Sequence, residues 1–280
     1  MDPRTFGRRF ESKVAIVTGS SANPSIGRAV ARRLALEGAS VVINGRTQEQ
    51  LLAAEAEMRC EGLDVVAVQA AADDDSGPGR LVDAALERFG RIDLVANAVG
   101  GIRYAGPWED LDRQTLLDTY VLNAWSALAL IQEAVRRGLA DGGGSVVNIS
   151  SGSPKKTTPS MLSYAAAKAA LETMTRTLAR DLGPRGVRVN AVAPSFTMTS
   201  ANKDVWESDG GASVGQNLLL GRPPAAEDIA NSVVFLLSDE AGVVTGQVID
   251  VDSGDHLMSG GWSPFQPGGR GPETAPSQRG

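Results

Sequence analysis

The 280 residues carry 27 Lys and Arg against 33 Asp and Glu, a formal charge of −6. The chain is long enough to bury a sizeable core without cross-links, and its acidic balance argues against a broadly basic nucleic-acid surface. Cys60 is the only cysteine and His256 the only histidine, which excludes an intrachain disulfide and a zinc site of several His or Cys ligands, and no Cys–His pair is expected in the active region.

Residues 1–12 are polar without periodicity and read as a flexible arm. No apolar run reaches the ~18 residues that span a bilayer. The apolar stretch after Lys13 stops at Thr18-Gly19, so no secretory leader is read. A soluble, cytoplasmic protein is expected, since nothing here needs oxidation. From residue 13 to about 257, strand-like runs alternate with helical patterns. The runs are Val14–Thr18, Ser40–Asn44, Val65–Ala70, Ile92–Ala96, Ser145–Ser150, Val187–Val192 and Gln247–Val251. The helical patterns are Ile26–Glu37, Gln48–Glu61, Arg80–Arg88, Arg113–Arg137, Tyr164–Leu182 and Ala226–Leu237. Several runs are apolar throughout, as when a parallel sheet is covered on both faces. The pattern predicts an α/β fold: one domain over residues 13–257, a doubly wound, seven-stranded parallel sheet with helices on both faces. Residues 258–280 read as a flexible tail, with six Gly and four Pro among the last 22 residues.

After the first strand, Thr18-Gly19-Ser20-Ser21-Ala22-Asn23-Pro24-Ser25-Ile26-Gly27 leads into an alanine-rich helix. Small residues there let the backbone approach a pyrophosphate, which unpaired N–H groups at a helix N-terminus stabilise. A glycine-rich turn without a ligand has the same local sequence. The second strand ends Asn44-Gly45-Arg46. A carboxylate here would bond the ribose 2′-hydroxyl of NAD, whereas Arg46 offers a fork for a 2′-phosphate, so NADP(H) is expected over NAD(H).

Ser163-Tyr164-Ala165-Ala166-Ala167-Lys168 opens a helix and sets Tyr164 and Lys168 on one face. An ammonium ~4–5 Å from the phenol, at an effective dielectric of ~20, favours the phenolate by about 3–4 kcal/mol. That would bring Tyr164 towards the range where it exchanges a proton with a carbonyl oxygen. Taken alone, the pair reads equally as two side chains packing along an exposed helix. Upstream, Asn148-Ile149-Ser150-Ser151 ends the fifth strand, where open parallel sheets bind ligands.

With these motifs in order, the sequence resembles the short-chain dehydrogenase/reductase family over residues 13 to about 257. The resemblance rests on Thr18-Gly19…Ile26-Gly27, Asn97-Ala98-Val99-Gly100, Asn123, Ser151, Tyr164-x-x-x-Lys168 and Pro194-Ser195-Phe196-Thr197-Met198-Thr199. Gly221-Arg222…Glu227-Asp228-Ile229-Ala230…Thr245-Gly246 is equally family-like. It implies a Rossmann-type fold and four catalytic residues. Tyr164 would be the acid–base group, Lys168 its activator and ribose ligand, Ser151 the group orienting the carbonyl, and Asn123 the holder of a relay water. Gly19, Ser21, Ser25, Ile26, Gly27, Arg46, Asn97, Gly100, Pro194, Thr197 and Thr199 would meet the cofactor, as would Tyr164 and Lys168. No metal is implied. Three departures stand out: six residues between Gly19 and Ile26 where four are usual, Ala98 for a second Asn, and Ala71 where an adenine-binding Asp is usual. Asp73 is the nearby candidate for that last contact.

The implied reaction is NADPH-dependent reduction of a ketone to a secondary alcohol, or the reverse. Its substrate is a small carbonyl or alcohol compound, with 3-oxoacyl thioesters the default and polyketide-type ketones, steroids, sugars and cyclic diols open. Gly101–Trp108 and Ser200–Leu219 are the segments that would set specificity, with Arg103, Tyr104, Trp108 and Trp206 candidates for the pocket. Two rival readings are an enoyl reductase and a catalytically silent NADP-binding regulator. Enoyl reductases of this type usually place six residues between Tyr and Lys, but position 171 here is Leu. Neither nucleic acid nor membrane is expected as a partner. A homotetramer or homodimer through the fourth and fifth helices is.

Overall fold

Seven short strands set the architecture, the five inner ones largely buried and the edge strands only partly so. In the computed structural model, which describes residues 7–71, 74–139, 141–207, 214 and 218–258, they form one sheet of order β3-β2-β1-β4-β5-β6-β7. The strands are β1 Val14–Val17, β2 Ser40–Gly45, β3 Val65–Gln69, β4 Leu94–Asn97, β5 Gly144–Ile149, β6 Val187–Pro194 and β7 Val248–Val251, and every pairing is parallel. Successive residues of a strand face opposite sides. Thus Ala15 and Val17 join one core while Val14 and Ile16 join the other, so β1 has no polar position.

The first core packs under α1 (Ile26–Leu36), α2 (Gln48–Cys60) and the late helix Ala226–Leu237. The second packs under α3 (Gly77–Phe89), α5 (Ser126–Arg136) and α7 (Leu162–Leu182). α1 ends where Gly38 turns to φ +99, a conformation that suits glycine. Between β1 and β4 the chain order reverses, which opens a crevice beyond the strand C-termini.

Most boundaries shift by a residue or two, and four differences from the sequence reading have a physical cause. Helix α3 starts at Gly77, because Pro78 occupies its first turn without disrupting it. β4 starts at Leu94: the Asp93 backbone still bonds Val14 O and Ser145 N, but the Val14 N–H is taken by the buried Asp93 carboxylate at 2.9 Å. The helix expected over Arg113–Arg137 is broken into α4 (Arg113–Tyr120), a π turn (Val121–Trp125) and α5. Finally, residues 7–12 are not a free arm. Phe10 is 2% exposed within the first core, and Arg9 pairs with Glu37 and Glu240. Residues 259–280 lie outside the described residues, as do Asp73 and the side chain of Trp206.

Candidate active site

At the cofactor end of the crevice, backbone and small side chains make the surface. Gly19 adopts φ +65, and a Cβ at Gly27 would collide with the Gly19 carbonyl oxygen, so β1 and α1 meet at a distance only glycine permits. Ser25 caps α1 by accepting from Arg28 N at 3.1 Å, leaving the N–H groups of Ile26 and Gly27 at the open helix end. An unfilled cradle of this kind fits a dinucleotide pyrophosphate. Asn44, a polar residue in an apolar strand, braces it. Its Oδ1 accepts from Gly19 N at 3.3 Å, and its Nδ2 donates to Ala70 O at 2.8 Å. Thr18 Oγ1 accepts from Ala98 N at 3.0 Å and so joins the glycine loop to the β4 loop. Neither Asn44 nor Thr18 was singled out as a site residue from sequence, although a lone Asn inside an apolar run was the available signal.

Past β2, a Cβ at Gly45 would collide with the Ser21 hydroxyl, so this loop leaves no room for a carboxylate at position 45. The neighbouring Arg46 guanidinium is exposed and makes no ion pair or hydrogen bond with the described residues. Asn97 differs from its implied role: it is buried, and its Nδ2 donates to Asn148 Oδ1 at 2.9 Å, across the β4–β5 register. Its side chain is an internal brace.

At the other end, three elements converge. Lys168, on α7, is 2% exposed, and its Nζ donates to Ile149 O at 2.7 Å at the end of β5. It lies 5.8 Å from the Tyr164 ring centroid, one helical turn away. Ser151, just past β5, sets its hydroxyl beside the Tyr164 phenol and donates to Ser153 Oγ at 3.1 Å. Gly100 stands between the remaining pair: a Cβ there would lie 2.8 Å from both Lys168 Nζ and Asn123 Oδ1. Ser151, Tyr164, Lys168, Asn123 and Gly100 are therefore brought together.

The π turn explains how Asn123 reaches this place. Ser126 N bonds back five residues to Val121 O, and Asn123 Nδ2 takes the Thr119 carbonyl at 2.9 Å. The same amide donates to Gly101 O at 2.8 Å, while Oδ1 accepts from Gly101 N at 3.0 Å. Both amide hydrogens of Asn123 are thus spent on backbone, and a relay water would have to use other atoms.

The electrostatics correct one expectation. Burial pushes the Tyr164 phenol above its ordinary value of 10, and the Ser151 hydroxyl beside it offsets only part of that rise. Burial also brings the Lys168 ammonium from 10.5 down to about 8. Lys168 does not make Tyr164 a phenolate at neutral pH. A phenol raised above its ordinary value is protonated at neutral pH.

The segment after β6 closes the groove. Pro194 O accepts from Gly152 N at 2.8 Å, linking β6 to the Ser151 loop. Thr197 is buried, and its carbonyl accepts from Asn202 Nδ2 at 2.8 Å. Thr199 Oγ1 bonds the same Asn202 at 3.2 Å, so Asn202 organises both threonines, a role the sequence reading missed. Among the specificity candidates, Tyr104 donates to Pro107 O at 2.8 Å and Gly106 N to Ser160 O at 3.0 Å, while Trp108 is exposed.

A family model described as enoyl-(acyl carrier protein) reductase matches residues 19–256. The chain belongs to the short-chain dehydrogenase/reductase family. It is 34% identical over 257 residues to tropinone reductase-like 3 of Erythroxylum coca, covering 90% of this chain and 96% of that protein. It is 32% identical over 259 residues to D-threitol dehydrogenase of Mycolicibacterium smegmatis, covering 89% and 95%. A solved short-chain dehydrogenase/reductase from Mycobacterium ulcerans superposes with TM-score 0.83 at 32% identity, covering 89% of this chain and 91% of that one. This short-chain dehydrogenase/reductase is an NAD(P)-dependent oxidoreductase interconverting a ketone and an alcohol. Among the described residues, no helix is long and apolar enough to cross a membrane.

Proposed function

We propose that the protein is an NADPH-dependent carbonyl reductase, or the reverse alcohol dehydrogenase, with Tyr164 as proton donor. The observation that carries this reading is the cluster of half-buried Ser151 and Tyr164 with buried Lys168 at the C-terminal end of β5, beside the Gly100 gap. Bound NADPH would supply a hydride to the carbonyl carbon. Tyr164, protonated at neutral pH, gives its proton to the carbonyl oxygen, so the ketone gains one hydride and one proton and becomes a secondary alcohol. The Ser151 hydroxyl orients that oxygen. Lys168, held by Ile149 O, keeps a positive charge beside the phenol as it becomes an anion. Asn123 holds the Gly100-Gly101 wall of the site.

Gly19, Ser21, Ser25, Ile26 and Gly27 would hold the pyrophosphate, and Gly100, Pro194, Thr197 and Thr199 the nicotinamide half. Asp73 remains the proposed adenine contact. NADP(H) is favoured by two features: Ser21 fills the place of an acid at position 45, and Arg46 is unengaged. The relatives' names support a small ketone or polyol as substrate class. The exposed Leu116, Tyr120 and Trp125 on the α4–α5 face support a dimer or tetramer, which sedimentation would reveal.

The description of the matching family model favours one alternative, reduction of C=C. Against it, Leu171 is buried with Ala124 and Ala127 and supplies no cation at the longer spacing. Oxidation of NADPH and NADH with ethyl acetoacetate, cyclohexanone and crotonyl-CoA separates the readings. Turnover of the ketones with NADPH is expected; turnover of crotonyl-CoA alone would overturn the assignment.

A further inference from the structure

Helix α7 continues the stripe of Tyr164 and Lys168 by one more turn, to Glu172. This carboxylate is 5% exposed, yet it faces the end of β5 rather than solvent. Its Oε1 accepts from Ser150 Oγ at 2.9 Å, and its Oε2 lies 3.5 Å from Arg176 on the outer side. A buried carboxylate is costly where an apolar residue would pack, so its one short bond is the feature to explain. Ser150 is the residue at which the chain leaves the sheet. Its N–H still donates to Val192 O at 2.7 Å, and Gly152 N donates to Pro194 O at 2.8 Å. Ser151 hangs between these two ties, its hydroxyl beside the phenol, accepting from Ser153 N and donating to Ser153 Oγ, both at 3.1 Å. Consecutive turns of α7 therefore peg consecutive residues of the strand end: Lys168 holds the Ile149 carbonyl, and Glu172 holds the Ser150 side chain.

We propose that Glu172 is a positioning residue, whose hydrogen bond to Ser150 fixes the Ser151 hydroxyl against Tyr164. The proposal rests on the reading of Tyr164 as proton donor. A Gln at 172 retains an acceptor for Ser150, whereas an Ala does not, and Ser150→Ala removes the same bond from the other side by deleting one hydroxyl.

The test compares Glu172→Ala, Glu172→Gln, Ser150→Ala and the Glu172→Ala/Ser150→Ala double variant in the full chain, with NADPH and the best ketone of the panel above. Loss of alignment at a reacting centre predicts a kcat about tenfold lower for Glu172→Ala and Ser150→Ala, with the KM for NADPH within about twofold of the parent. Glu172→Gln should recover to within about threefold, and the double variant should be no worse than either single one. Ultraviolet titration of the phenolate without cofactor gives a second readout. The Tyr164 transition should move upward in both alanine variants, because the neighbouring Ser151 hydroxyl that lowers it is no longer held beside the phenol, and return in Glu172→Gln. Parent-like kcat and titration in Ser150→Ala, a Gln variant as damaged as the Ala one, or simple additivity in the double variant would each overturn the proposal. Should Glu172→Ala fail to fold, Ser150→Ala and Glu172→Gln decide alone. Tyr164→Phe is the control: if it still turns over, the donor assignment falls, while the titration continues to judge the peg.

Discussion

The two ends of the groove are built from opposite materials. At the mouth of α1, the surface is main chain made reachable by small residues, with Gly19, Gly27 and Gly45 excluding bulk and Asn44 bracing from behind. At the end of β5, the surface is a few polar groups, with Lys168 Nζ and the Asn123 amide buried on specific partners and the Tyr164 phenol half-buried beside Ser151. The first end recognises charge and shape, which many backbones can supply. In the proposed reaction the second performs a proton transfer, which depends on one atom in one place. Damage should therefore be graded at the first end and abrupt at the second.

The sharpest way to break this contrast is Tyr164→Phe. It removes only the donor oxygen and should lower kcat by about 10²–10⁴ while leaving NADPH affinity, measured by fluorescence titration, within about twofold. At the opposite end, Arg46→Ala should raise the KM for NADPH by about 10–100-fold, the worth of charge-assisted bonds to a phosphate, and leave NADH unchanged. An equal effect on both cofactors would remove Arg46 from the 2′-phosphate. Gly27→Ala forces a methyl against the Gly19 carbonyl and should cost about 1–3 kcal/mol in chemical denaturation. A neutral outcome would mean that α1 can shift.

The smallest expected effect is the pH dependence of Lys168. Its ammonium, brought down to about 8 by burial, is lost as pH rises through that value, so kcat should decline on the alkaline side from there. The stability sign is opposite. Between about 8 and the ordinary 10.5 the unfolded chain binds more protons, so the parent should gain about 1–3 kcal/mol over Lys168→Met as pH rises across that window. A flat difference in urea midpoints between the two would show that Lys168 is not desolvated.

The fold was legible because two-sided burial leaves uninterrupted apolar runs, and those of β1, β2 and β5 stand out in the sequence. The Tyr164–Lys168 pair was legible because helical spacing puts them on one face. What escaped depended on partners distant in sequence or on irregular backbone. The π turn at Val121–Trp125 has no pattern of its own; it shows only as five residues bonded one position late. Asn202 and Asn44 act on main-chain groups, which no side-chain motif reveals. The depression of the Tyr164 pKa was misjudged because spacing along a helix carries charge but not desolvation.

Phe10 is the remaining surprise, and it bears on where the folded unit begins. Its ring fills space in the first core, and just beside it Arg9 joins Arg33 in neutralising Glu37, whose side chain has no solvent exposure. A version trimmed to start at Val14 would leave a benzyl-sized hole and strand an anion with half its escort. For anyone shortening the chain to simplify it, the safe cut lies upstream of Arg9, several residues before the first strand would suggest.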